Sequence, residues 1–229
     1  MSDAERHPNA RQPDLWVVLD LGGVLFEFHG FTGLAKITGQ SEDLVRQQIV
    51  SSPTVERLET GQISPEEFAD ALVNELALDL DASEFLHLWT NWEAGEKPGT
   101  ADLLDSLSSQ FNLACLSNTS AVHWPRLLEL RRIGNWFDRL YASHEIGHWK
   151  PNRAIFDHVE QDLGVPATQI VYFDDNQHIV DAARDCGWDA HQATSPEAVE
   201  AGLHGLGLLP YEPRAAVRSP DATKERPND

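Results

Sequence analysis

The sequence predicts an α/β protein: a doubly wound, mostly parallel sheet with a helical insertion. Three observations carry this. Short β-rich runs alternate with amphipathic segments along most of the chain; the alternation breaks once, between about residues 30 and 95; and several β-rich runs end in polar residues suited to chemistry. Strands that alternate with helices require crossover connections, which cover a parallel sheet on both faces.

Taken in order, strands are expected in "LWVVLDL" (15–21), "FNLACLS" (111–117), "RLYAS" (139–143), "QIVYFDD" (169–175) and "DAHQA" (189–193), each bounded by polar or glycine-containing turns. Between them, "TADLLDSLSS", "RAIFDHVEQDLG" and "IVDAARDCG" place apolar residues at helical spacing, the last two closing on a C-cap glycine. In the interrupted stretch, "SEDLVRQQIV", "SPEEFADALVNELAL" and "SEFLHLWTNW" each open with a serine suited to an N-cap. The expected organisation is therefore a core of residues 14–29 and 96–210, a helical insertion of 30–95, and a tail, 211–229, too polar to pack.

Composition excludes several classes. The 229 residues carry 17 basic and 37 acidic side chains, a net charge of −20 that repels nucleic acid and anionic membranes. Cys115 and Cys186 are the only cysteines, so neither a disulfide framework nor a cysteine metal cluster is expected. The first residues lack the apolar segment of a secretory signal, and no run approaches the ~18 apolar residues of a membrane span. A cytoplasmic protein is expected, a monomer or weak homo-oligomer, with a small molecule as its partner.

Parallel sheets bind ligands beyond the carboxyl ends of their strands. Those ends deliver Asp20, then Ser117 with Asn118, then Asp174 with Asp175. A carboxylate such as Asp20 can accept a phosphoryl group and split one hard displacement into two easier steps. Asp174 and Asp175 would repel it unless a cation lay among them, and such oxygen ligands suit Mg²⁺. Gly22 and Gly23 let the backbone approach an anion closely. Ser117 and Asn118 offer neutral donors to phosphoryl oxygens, and Lys150, ahead of a helix, can neutralise charge that builds up during transfer. Taken singly, each motif also has a structural reading: a turn-forming Asp, a helix-capping Ser-Asn pair, a solvated acidic pair. Their order at successive strand ends is what points to one shared site.

"VVLDLGGVL", "CLSNTS", "KPNRAIF" and "VYFDDNQHIVDAARDCGW" together resemble the four ordered motifs of the haloacid dehalogenase-like hydrolases, over about residues 15–208. The insertion resembles the helical cap placed after the first motif in one subclass. The wording is most similar to the alpha-D-glucose-1-phosphate phosphatase-like branch and the phosphatase domain of soluble epoxide hydrolases. The resemblance implies a Rossmann-like core with an inserted α-helical cap, and a Mg²⁺-dependent phosphatase of a small phosphorylated metabolite, such as a sugar phosphate. Carried over by position, it implies Asp20 as nucleophile and metal ligand, with the carbonyl of Gly22 as a further ligand. Asp175 becomes a direct metal ligand and Asp174 its support. Ser117 and Asn118 become the phosphate-binding pair, with Lys150 orienting Asp20 and the phosphate.

One departure stands out. Phosphatases of this family usually carry a second Asp two residues after the nucleophile, as general acid and base; here that position is Gly22. Glu27, His29 and His123 are candidate substitutes. Trp89 and Trp92 stand three residues apart, a spacing that suits cap core more than a sugar-stacking platform, while Arg46, Arg57 and Lys97 could meet the distal part of a substrate. The glycine at 30 or 95 could act as a cap hinge. Two other readings follow from the same residues: a catalytically silent phospholigand-binding or regulatory protein, and a haloacid dehalogenase.

Overall fold

The structure is a computed structural model that describes residues 14–129 and 132–210; the expected tail, 211–229, lies outside them. Its strands are β1 (Trp16–Leu19), β2 (Phe26–Phe28), β3 (Glu93–Glu96), β4 (Asn112–Ser117), β5 (Arg139–Ala142), β6 (Ile170–Asp174) and β7 (Asp189–Gln192). Five of them form one sheet in the order β5–β4–β1–β6–β7, with every neighbouring pair parallel. The sheet is thus doubly wound about β1, as predicted. Leu19, the last residue of β1, lies opposite Cys115 of β4 and Phe173 of β6. The residues that follow these three positions therefore emerge on a common edge.

Alternation of side chains explains why the three central strands, β4, β1 and β6, are apolar over most of their length. Val17, Leu19, Leu113, Cys115, Val171 and Phe173 pack on one face, while Val18, Ala114, Leu116, Ile170 and Tyr172 pack on the other. Both faces are covered, so neither register of a strand can be polar.

The chain between β2 and β3 forms α1 (Gly30–Thr38), α2 (Glu42–Val50), α3 (Pro53–Glu59), α4 (Pro65–Glu75) and α5 (Ala82–Thr90). These helices share an apolar cluster of their own that includes Leu34, Val45, Leu58, Phe68, Phe85 and Trp89. Trp89 is buried in it, its ring 5.6 Å from that of Trp92, as core rather than an open platform. Ser41 and Ser64 cap α2 and α4 as expected, Ser64 in a full capping box with Glu67. At α5 the cap is Asp81 and not Ser83. The Asp81 carboxylate accepts from the Glu84 N–H at 2.8 Å and from the Ser83 hydroxyl at 2.8 Å, so the more strongly accepting group starts the helix earlier.

The return to the sheet runs through β3, which pairs antiparallel with β2. Neither strand is apparent in the sequence: each is three or four residues long, and the partners lie far apart in the chain. Gly95, on β3, has φ +115°, whereas Gly30 is required by packing, because a Cβ there would lie 2.2 Å from the Phe28 ring.

The core helices are α6 (Thr100–Ser108), α7 (Trp124–Glu129), α8 (Ser143–Ile146), α9 (Arg153–Leu163), α10 (Gln177–Asp185) and α11 (Pro196–Gly205). α6 and α11 cover the Val17 face with Leu104, Leu107, Val199 and Leu203; α9 and α10 cover the Val18 face with Phe156, Val159 and Val180. Gly164 ends α9 in the left-handed conformation, as predicted; α10 caps on Cys186, with left-handed Gly187 just beyond. Among the described residues no helix is long and apolar enough to cross a membrane.

Candidate active site

The edge formed by the carboxyl ends of β4, β1 and β6 gathers the expected residues. Asp20 follows β1 directly and is 7% exposed, its backbone N–H held by the Phe173 carbonyl at 2.9 Å. Ser117 ends β4, and Asp174 and Asp175 end and follow β6. Asp20, Asp174 and Asp175 each offer a carboxylate oxygen, and these atoms all lie within 4.8 Å of one another.

Lys150 is the charge at their centre. It is 3% exposed, and its Nζ lies 2.8 Å from Asp20 Oδ1, 2.8 Å from Asp174 Oδ2, 2.9 Å from the Leu116 carbonyl and 3.0 Å from the Tyr172 hydroxyl. Burial works against its charge, yet Asp174 and Asp20 outweigh burial and raise its pKa above the usual lysine value. The lysine is thus a fixed cation. The loop that carries it is held by Asn118, whose side chain accepts from the Lys150 N–H at 2.8 Å and donates to the Lys150 carbonyl at 2.9 Å. The Asn118 carboxamide therefore clasps the lysine loop in addition to any ligand it meets.

One cation does not balance three carboxylates. Burial pushes the Asp20 carboxyl up to about 7, against the pull of Lys150 and with the help of Asp174 and Asp175. Asp175, only partly buried, is raised by the same two causes, desolvation and Asp174, while Lys150, Lys97 and Arg46 oppose the shift. Asp174 is fully buried, its Oδ1 accepting from the Asn176 N–H at 2.9 Å and its Oδ2 from Lys150 and Tyr172. A cluster of hard oxygen donors with surplus negative charge is what a divalent cation requires. Asp174 is already saturated with donors, which fits a supporting place, whereas Asp175 is not.

The two glycines differ in what they require. At Gly23, φ is +76° and a Cβ would lie 2.3 Å from Asp175 Oδ2, so only glycine allows that approach. At Gly22 nothing lies within 4 Å of a built Cβ, so the missing side chain leaves open space. In this turn the carbonyls of Leu21 and Phe26 accept backbone bonds and that of Gly23 accepts from Lys97; among the described residues the Gly22 carbonyl accepts none.

Several expectations fall elsewhere. Glu27 and His29 pair with each other at 3.4 Å on the surface, and His123 Nε2 is 2.9 Å from the Trp89 carbonyl, among the Phe28 and Trp89 rings. Lys97 anchors the first turn, donating to the Gly23 carbonyl and, at 2.8 Å, to that of Thr194. Arg46 lies over the Phe31 ring at 4.1 Å. Sequence reasoning missed Tyr172, which donates to Asp174; its place two residues before Asp174 on β6, hence on the same face, was the available signal. It also passed over Glu59, at the end of α3, which the approach of that end to α8 brings within the field of Lys150.

A doubly wound parallel sheet whose central strand leads into a buried Asp, beside a buried Lys and two further Asp residues, defines an α/β protein of the Rossmann-like class with an acidic site at the carboxyl edge of its sheet. The chain matches the haloacid dehalogenase-like hydrolases over residues 16–187, and it belongs to that family. It is 24% identical over 217 residues to a pyrimidine 5'-nucleotidase of Escherichia coli (strain K12), covering 85% of this chain and 96% of the relative. It is 23% identical over 185 residues to a D-ribitol-5-phosphate phosphatase of Bacteroides thetaiotaomicron, covering 77% of this chain and 90% of the relative. In fold it resembles a haloacid dehalogenase family enzyme of the same organism, solved with magnesium and inorganic phosphate, at a TM-score of 0.64 and 22% identity over 78% of this chain and 93% of that one.

Proposed function

We propose that this hydrolase is a Mg²⁺-dependent phosphatase of small phosphorylated metabolites, acting through an aspartyl-phosphate on Asp20. The observation that carries the reading is the buried Asp20 carboxylate, held at 2.8 Å by a fixed lysine and facing two further carboxylates. The relatives named for phosphatase and nucleotidase activity support it, as does the similar fold solved with magnesium and phosphate.

The residues present fit the cation. Asp20, Asp175 and the unengaged Gly22 carbonyl would hold it, with Asp174 behind them. Bound there, Mg²⁺ offsets the surplus negative charge and polarises the phosphoryl group. Lys150 favours the ionised form of Asp20 and orients it, and its charge stabilises the phosphoryl oxygens as they gather charge. Ser117 donates to the same oxygens from the end of β4. Asp20 attacks phosphorus, the ester oxygen departs with a proton, and water then attacks the aspartyl-phosphate to release phosphate. The helical unit, packed on this edge through His123 and Trp89, excludes bulk water while the acyl phosphate exists.

A dehalogenase reading is less well supported, because halide displacement calls for no cation and the extra carboxylates would repel a haloacid. The test is phosphate release from a panel of sugar phosphates, nucleotides and acyl phosphates with and without Mg²⁺. Turnover should need Mg²⁺ and fall at least about 1,000-fold in folded Asp20→Asn. Wild-type turnover in that variant would refute the proposal.

A further inference from the structure

With no acid at position 22, the proton for the leaving oxygen has to come from elsewhere. The three candidates nearest the motifs are otherwise engaged, Glu27 and His29 with each other and His123 against the Trp89 carbonyl. We propose that Glu59, at the end of α3, is the proton donor to the leaving group, supplied from the helical unit. This rests on the phosphatase reading.

The geometry around Glu59 is tightly held on both sides. Leu58 before it is buried in the apolar cluster of the helical unit. Thr60 after it is 7% exposed and donates from Oγ1 to the Glu56 carbonyl at 2.7 Å. Gly61, at φ +69°, lies so close to α8 that a Cβ would stand 2.4 Å from the His144 carbonyl. The segment 58–61 is therefore wedged between the helical unit and the edge of the sheet that carries the site. α8 itself is tied to the loop after Ser117, since Ser143 Oγ accepts from the Thr119 N–H at 2.9 Å and donates to the Thr119 carbonyl at 3.0 Å.

The Glu59 carboxyl lies in this seam with no hydrogen-bond or ion-pair partner among the described residues, although Arg57 is on the same helix. The charge that reaches it is the Lys150 ammonium, which also holds Asp20. It keeps some solvent access, as a group lining the seam between two packed units does. Desolvation there outweighs Lys150 and pushes it up to about 7, so the acid form is available near neutral pH. The segment 58–61 thus holds, where the helical unit meets α8, a carboxyl with no partner among the described residues and within the field of the lysine that holds Asp20.

As the bond from Asp20 to phosphorus forms and the ester P–O bond breaks, the Glu59 proton passes to the departing oxygen, giving a neutral alcohol and a Glu59 carboxylate. That carboxylate then takes a proton from the water that attacks phosphorus, the bond to Asp20 breaks, and both side chains return to their starting states.

The test measures first-turnover release of the leaving group by rapid quench, for wild type and Glu59→Gln, with two probes. One is the best alkyl phosphate of the panel, whose alkoxide needs a proton; the other is acetyl phosphate, whose acetate does not. Glu59→Gln should slow the alkyl phosphate about 100-fold or more and leave acetyl phosphate within about threefold. Adding Gly22→Asp to that variant should restore much of the alkyl phosphate rate, because an acid then stands two residues after Asp20, where a side chain has open space. Glu59→Ala, read the same way, covers misfolding of the first variant. Equal losses with both probes, or wild-type rates with both, overturn the role of Glu59 alone. A wild-type enzyme that releases neither leaving group overturns the phosphatase reading beneath it.

Discussion

Replacing Lys150 with Met removes the one ammonium that lies among the buried carboxylates. Four oxygens lie within 3.0 Å of that Nζ, two of them on Asp20 and Asp174, which are 7% and 0% exposed. Breaking a buried ion pair from one side costs about 3–5 kcal/mol, since the remaining charge has neither water nor partner. At about 2–4 °C per kcal/mol for a chain of this size, the metal-free variant should melt about 6–20 °C below wild type at pH 8. The sign of the pH effect is fixed by Asp20. Its folded pKa, about 7, lies above the ordinary 3.8, so the folded state is favoured while Asp20 is protonated and loses that advantage as pH rises through about 7. Without Lys150 the shift grows, so the deficit should shrink on acidification from pH 8 to pH 5. Saturating Mg²⁺ should raise the melting temperature of the variant more than that of wild type, because it supplies the missing charge. The assay is thermal unfolding by circular dichroism over that pH range, with and without Mg²⁺. A variant within about 2 °C of wild type at pH 8 without metal would refute the claim that Lys150 neutralises the cluster.

Other consequences follow from the same geometry. Mg²⁺ has to displace a proton from the Asp20–Asp175 cluster, so affinity should rise about tenfold per pH unit below about 7 and level off above it; calorimetric titration at several pH values checks this. Gly23→Ala places a Cβ against Asp175 at φ +76°, and should cost about 1–2 kcal/mol of stability and weaken Mg²⁺ binding, both measurable by unfolding with and without metal. Gly22→Asp meets open space instead, so the variant should fold like wild type, and in the Glu59→Gln background it should speed alkyl phosphate hydrolysis about tenfold or more; an unchanged steady-state rate there would count against a proton shortage at the leaving oxygen.

Asp20, Ser117, Asp174 and Asp175 were legible because a parallel sheet turns position in the chain into position in space: whatever follows adjacent strands shares one edge. Lys150 was legible as a lone lysine just ahead of a helix in that order of motifs. The rest depends on how distant segments dock. β2 and β3 are too short to show a period and find each other only across the inserted helices. Asn118 reads as a ligand donor, and its clasp on the Lys150 loop appears only when two loops meet. Lys97 reads as a free cation at the hinge, yet it bridges Gly23 and Thr194, far from it in the chain. Glu59 sits in an ordinary acidic helix end, and only the wedging of α3 against α8 makes it unusual. Tyr172 alone was within reach of local reasoning, through the two-residue period of β6.

The most direct measurement is acid quench of the enzyme within the first turnover of a phosphate ester, followed by mass spectrometry of the peptide that contains Asp20. The account predicts one phosphoryl group on Asp20, present with Mg²⁺, absent with EDTA, and decaying at the rate of phosphate release. Full turnover with Asp20 never modified would contradict it.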